Sequence, residues 1–212
     1  MVGKGVLLEC LDHPDVESVL VINRSSIGMQ HPKLVEVIHK DFHDLSSIAD
    51  KLSGFNACYF CMGVSVIGLS EEAYTKITYD LTLHFAQTLV GLNPEMTFCY
   101  VSGTGTDSSE KGRSMWARVK GKTENAVLGL AFKQAYIFRP GYIQPMKGIR
   151  SKTTAYNLVY LMFKPLYPLL KLIIPGFVTS TVAVGIAMIN VVLNGYSKKH
   201  LENRDINSMA SS

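Results

Sequence analysis

Charge is scarce in this chain: Lys, Arg, Asp and Glu make up 18% of 212 residues, against 47% hydrophobic residues, which excludes a disordered or fibrous chain. The net charge is only +4, and the basic residues are scattered with no block among them, so the footprint of a nucleic-acid surface is missing. Cysteine occurs four times, and Cys58 and Cys61 stand in a C-x-x-C spacing. No second such pair and no paired histidines complete a zinc set, so no metal is expected; in apolar runs a thiol behaves as a small hydrophobe. A basic stretch followed by a short apolar run is absent at the start, which leaves secretion unmarked and makes the cytoplasm the expected setting.

An uninterrupted apolar run of membrane-spanning length is also lacking. Residues 156–178 are strongly apolar and aromatic, but Pro165, Pro168 and Pro175 break them and Lys164 and Lys171 charge them. A spanning helix needs about 20 consecutive, mostly apolar residues, so no span is expected here. Two readings stay open for this stretch: a helical cap on the substrate side within 150–180, or an apolar surface for peripheral membrane contact.

What is present is an alternation of short β-branched runs with helical stretches, the rhythm of βαβ units and a mainly parallel sheet. Strands are expected at 19–22, 33–39, 57–62, 97–101 and 135–138, and helices at 5–11, 46–52, 71–92, 115–131 and 181–193. The last helix is introduced by Thr179, Ser180 and Thr181, good capping residues. One α/β domain over 1–202 is expected, followed by a frayed polar tail at 203–212. The order is unusual, because such a domain should open with a strand, and here a helix comes first.

Candidate binding residues fall at the strand ends. Gly3 and Gly5 open the first helix, where a backbone free of side chains lets a pyrophosphate approach the helix N-terminus. Arg24 and Ser25 follow the run 19–22; an acidic residue there would favour a ribose hydroxyl, whereas Arg24 offers a charged fork to a 2′-phosphate, pointing to NADP over NAD. Asp41 and Phe42 end the next run, suited to adenine or simply to a turn. Gly63 and Val64 follow the third run, Ser102 the fourth, and Pro140 with Gly141 the fifth, all at carboxyl edges where open α/β sheets bind ligands. Trp116 and Lys120 stand four apart on one helix face, which fits a packed ring with a snorkelling lysine as well as a functional pair.

Together these residues resemble the short-chain dehydrogenase/reductase superfamily, in its atypical and extended, epimerase/dehydratase-like branch. The similarity runs over 1–192, with Gly3 matching the third glycine of the phosphate loop and the first strand and first two glycines missing. The resemblance implies a Rossmann-type doubly wound sheet and an NADP cofactor. It places Arg24 at the 2′-phosphate, Asp41 and Phe42 near adenine, Gly63 and Val64 along the ribose, and Pro140 and Gly141 near the nicotinamide. Ser102 matches the family's catalytic serine and Lys120 the lysine of its Tyr-x-x-x-Lys motif. Trp116 stands where the tyrosine belongs, and an indole cannot serve as an acid or base near neutral pH. The implied function is an oxidoreductase or epimerase-like protein for a small carbonyl or hydroxyl substrate with impaired catalysis, or a dinucleotide-sensing or partner-binding module without turnover.

Overall fold

The computed structural model describes residues 1–149, 167, 173–174 and 176–211. The chain enters at helix α1 (Val2–Asp12), where Val6, Leu7, Cys10 and Leu11 recur at helical spacing and are buried. Strands β1 (Val19–Asn23) and β2 (Leu34–Ile38) then pair in parallel, Val19 opposite Leu34. A 3₁₀ segment (Ser46–Leu52) buries Ile48 and Leu52 and leads to β3 (Ala57–Phe60). The predicted helix over 71–92 forms as α2 (Glu71–Thr75), a π-helical turn (Lys76–Asp80) and α3 (Leu81–Leu92). Next come β4 (Thr97–Val101), α4 (Met115–Leu128), β5 (Gln134–Arg139) and β6 (Tyr142–Gln144). Beyond the residues left undescribed, β7 (Val178–Ser180), α5 (Thr181–Asn194), β8 (His200–Glu202) and α6 (Asn203–Met209) complete the chain.

The main sheet is parallel, in the order β3-β4-β5-β8, with smaller parallel pairs β1-β2 and β6-β7. Helices cover both of its faces because side chains alternate along each strand. Phe98 and Tyr100 of β4 and Ile137 of β5 join Phe60, Phe85 and Val127 in one core; Cys99, Tyr136 and Phe138 turn the other way, onto Val6, Met188 and Ile206. This is the α/β, parallel-sheet fold class that the rhythm predicts. Strands β1 and β3 belong to separate sheets, and no strand among the described residues pairs with both. Helix α1 contacts the two of them instead.

Two expectations need correction. Residues 203–212 do not form a frayed tail: Asn203–Met209 is a helix that buries Asn203 and Ile206 and packs on α5. Glu202 and Asp205 form a reciprocal capping box at its start, and Ile206 with Met209, three apart, supply an apolar stripe that the polar composition masks. Strands β6, β7 and β8 were not anticipated, since three residues each are too few to show a period. The cap expected within 150–180 and the membrane-contact segment 156–178 fall mostly outside the described residues; among those described, no helix is long and apolar enough to cross a membrane.

Helix α4 is fixed by a close crossing that only glycine permits. A Cβ on Gly121 would lie 1.8 Å from the carbonyl oxygen of Asp107, in a loop that also sends the Asp107 amide to the Ala117 carbonyl at 3.1 Å. Backbone cannot retreat from such an overlap cheaply. We expect Gly121→Ala to destabilise the protein by about 2–4 kcal/mol in urea unfolding. Gly91→Ala, exposed on α3 with nothing within 4 Å, should stabilise it by roughly 0.5–1 kcal/mol.

Candidate functional site

The carboxyl ends of β3, β4 and β5 and the N-terminal end of α1 surround a cavity of about 340 Å³. Cys61, Met62 and Gly63 reach it from β3, Val101 and Ser102 from β4, Pro140, Gly141 and Ile143 from β5 and β6, and Lys120 from α4, with Met1 and Val2 closing one side. The parallel topology alone brings these together, because every strand of the sheet ends on the same rim.

Ser102 is almost fully buried, its amide donates to the Phe138 carbonyl at 2.7 Å, and its hydroxyl lies 3.0 Å from that of Thr106. The Thr106 hydroxyl donates to the Gly103 carbonyl at 2.8 Å. In that arrangement the Ser102 proton points to Thr106 and its lone pairs face outward, so polarising a ligand carbonyl requires one rotation of the hydroxyl.

Lys120 is desolvated, which depresses its ammonium from the usual lysine range to about 8 against the opposing pull of Glu124. Its Nζ sits 5.5 Å from the centroid of the buried Tyr100 ring. One turn along α4, the carboxylate of Glu124 is fully buried but is held by Arg139, whose Nε donates to both of its oxygens at 3.1 and 3.2 Å and whose Nη2 adds a shorter contact. Glu202 and His200 flank the same pair at 3.5 and 3.4 Å. The counter-ion nearest to Lys120 is thus taken by a guanidinium.

The other predicted residues divide. Gly63, Pro140 and Gly141 line the cavity with Ser102 and Lys120. Arg24 and Ser25 are exposed at the carboxyl end of β1, outside the cavity. Asp41 is exposed and accepts the His43 amide at 2.9 Å, as a turn residue does, and Phe42 is a core residue with its ring 6.4 Å from that of Phe85. Val64 is exposed beside the cavity without lining it. Trp116 does not line it either: its Cη2 lies 3.5 Å from where a Gly105 Cβ would stand. Tyr142 also stays out, its hydroxyl donating to Gln144 Oε1 at 2.7 Å.

The helix-opening glycines serve packing. A Cβ on Gly3 would come 3.2 Å from Cys61 Cβ, and one on Gly5 would come 2.6 Å from Thr181 Cβ of α5. Cys61 lines the cavity as a thiol pushed up to about 12 by burial and by the Cys10 charge, so it is neither a nucleophile nor a ready metal ligand at neutral pH. Met1 and Val2 were missed as lining residues, and only the position of α1 in three dimensions reveals them.

The α/β fold with its parallel sheets matches Rossmann-type solved structures of a short-chain dehydrogenase and of a dTDP-glucose 4,6-dehydratase. Among solved structures, a dTDP-glucose 4,6-dehydratase double mutant from Streptomyces venezuelae with NAD bound superposes with a TM-score of 0.61 at 16% identity, over 99% of this chain and 76% of that one. A short-chain dehydrogenase from Burkholderia cenocepacia in complex with NADP gives 0.59 at 13% identity, over 94% and 83%. In sequence, the chain is similar to Protein HTATIP2 of Rattus norvegicus, 25% identical over 143 residues, which are 66% of this chain and 58% of the relative. It is equally similar to the protein named fmp52, mitochondrial, of Emericella nidulans, 25% identical over 150 residues, 68% of this chain and 63% of the relative. The chain therefore spans about three-fifths of the length of these curated relatives. No family model matches it.

The depressed Lys120 carries a stability signature. Folding binds fewer protons than unfolding between the folded value of about 8 and the unfolded 10.5, so Lys120 costs stability in full below pH 8 and the cost fades as pH rises to 10.5. Lys120→Met should therefore stabilise the protein by about 1–3 kcal/mol at pH 7, with the difference from the parent vanishing near pH 10.5 in urea unfolding. A gain independent of pH would contradict the assignment.

Proposed function

We propose that the protein binds NADP(H) across the rim of its parallel sheet and receives a small carbonyl or hydroxyl substrate at the cavity holding Ser102 and Lys120. The observation that carries this reading is the convergence of Gly63, Ser102, Lys120, Pro140 and Gly141 on one cavity at the carboxyl ends of the strands. Neighbours of the same fold carry NAD or NADP.

The residues present fit the cofactor's parts. Helix α1 begins at the cavity with no acidic residue in its first turn, which suits its N-terminal amides and dipole to a pyrophosphate. Lys120, an ammonium without an ion pair among the described residues, suits ribose hydroxyls, and Gly141 brings bare backbone to the cavity. The cavity holds the nicotinamide end and a small substrate, and the adenosine end would extend past it toward β1. There Arg24 would receive the 2′-phosphate with Ser25 beside it, and Asp41 would lie near the adenine. Bound there, the dinucleotide would supply a hydride donor or acceptor.

This chain's own residues do the rest. Ser102 turns its hydroxyl from Thr106 to a substrate oxygen, and Lys120 holds the ribose and keeps positive charge next to it. A proton donor is the missing part, because Trp116 replaces the phenol and lies against Gly105. That observation favours a second reading, a dinucleotide-sensing or partner-binding module without turnover. Four unbridged cysteines support a reducing compartment such as the cytoplasm.

Arg24→Ala should weaken NADPH binding about 10- to 150-fold in a fluorescence titration, the equivalent of about 1.5–3 kcal/mol for a hydrogen bond to a charged group, and leave NADH nearly unchanged. Equal losses for both dinucleotides would remove Arg24 from the site. Absence of binding by the parent protein would overturn the reading as a whole.

A further inference from the structure

Lys120 is a half-buried amine set at a cavity wall with its natural counter-ion diverted. Glu124, the only carboxylate on the adjoining turn of α4, is saturated by the Arg139 guanidinium, and Tyr100 offers Lys120 a ring face in place of an anion. Met62, Val101 and Ile143 border it beside the polar backbone of Gly63 and Gly141 and one hydroxyl, that of Ser102. A carbonyl compound of a few carbons fits about 340 Å³ with room to spare. Cys61, at the same wall, is held as a thiol and does not compete.

We propose that Lys120 is an imine-forming lysine: in the dinucleotide-free protein its Nζ condenses with small aldehydes that enter the cavity. This goes beyond the dinucleotide-binding reading and does not require it. The neutral amine donates its lone pair to the carbonyl carbon, a C–N bond forms, and the carbonyl π pair moves to oxygen, which takes up the proton lost by nitrogen. The carbinolamine then expels its hydroxyl with a further proton as one water, and the nitrogen lone pair completes the C=N bond. No oxidant or reductant takes part, and hydrolysis reverses the adduct. The depressed ammonium supports this chemistry: at pH 7.5 an amine of pKa about 8 is roughly one-quarter neutral, against about one part in a thousand for an ordinary lysine.

The test is reductive trapping of the intact protein with propanal and cyanoborohydride at pH 7.5, followed by peptide mass mapping to give a rate for each lysine. Lys120 should be alkylated at least about 10-fold faster than the exposed Lys4 and Lys111, since its greater neutral fraction outweighs its partial enclosure. A Lys120 rate equal to or below theirs overturns the proposal. Lys120→Arg, which keeps the charge and cannot form an imine, should abolish the fast phase while retaining the parent's circular dichroism; a fast phase that persists in this variant also overturns it. Repeating the labelling with NADPH, whose binding is read separately by fluorescence, keeps the two readings apart. If Lys120 labels fast and NADPH fails to bind, only the dinucleotide reading falls; if NADPH binds and Lys120 labels slowly in its absence, only the present proposal falls.

Discussion

The buried pair of Glu124 and Arg139 fixes what the rest of this structure can do. A carboxylate with no solvent exposure is costly to desolvate, by several kcal/mol even after relaxation, and it is tolerable only with a partner of matching geometry. Arg139 supplies it from the last residue of β5, spanning both oxygens with a planar fork. The pair ties the middle of α4 to the end of the sheet, and Glu202, which also caps α6, draws the C-terminal helix to the same point. With α4 so placed, Lys120 overhangs Tyr100 at the cavity and is left without an anion of its own.

The break between β1 and β3 puts a second demand on the fold. Among the described residues no strand pairing joins β1-β2 to the main sheet, and side-chain packing bridges the two. Phe42, just beyond β2, lies 6.4 Å from Phe85 of α3; Phe85 lies 5.4 Å from Phe60 of β3; Phe60 lies 5.9 Å from Phe98 of β4. This aromatic chain crosses from the small sheet to the large one, and α1 spans the same gap on the other face, where Gly5 lets it settle against Thr181. Phe42 is spent on holding the sheets together, which is why its flat face is not turned to a ligand. The position of Arg24 relative to the cavity depends on these contacts.

The strands and helices that carry a period were legible in the sequence. The runs in β4 and β5, with apolar and aromatic residues at their centres, lie in a parallel sheet covered on both faces. The convergence of Gly63, Ser102, Pro140 and Gly141 was legible for a topological reason, since residues just past parallel strands must meet at one rim. What stayed hidden depends on contacts between distant segments. In Asn203–Met209 the two apolar residues, Ile206 and Met209, stand among polar ones, and Asn203 gains its place from the Gly141 amide across the fold, Asp205 from Tyr196 and Lys198 in the segment just before. The diversion of Glu124 from Lys120 is equally invisible in sequence, where the two stand four apart on α4 and would suggest an ion pair.

That spacing also separates the indole from the amine at the cavity. Trp116, Lys120 and Glu124 follow one another at four-residue intervals along one stripe of α4, yet each answers to a different neighbour: Gly105 for the indole, Tyr100 for the amine, Arg139 for the carboxylate. Gly105 holds φ at +86°, a left-handed conformation that keeps the loop after β4 low enough for the large ring to lie over it. A ring seated there contributes area and rigidity to the site's edge and no ionisable proton to its interior. The groups suited to holding a ligand, Ser102 and Lys120, come instead from the sheet end and from the next turn of the helix, and they keep their places whatever occupies position 116. The cavity and its amine therefore stand apart from the indole, although one helix carries both Trp116 and Lys120.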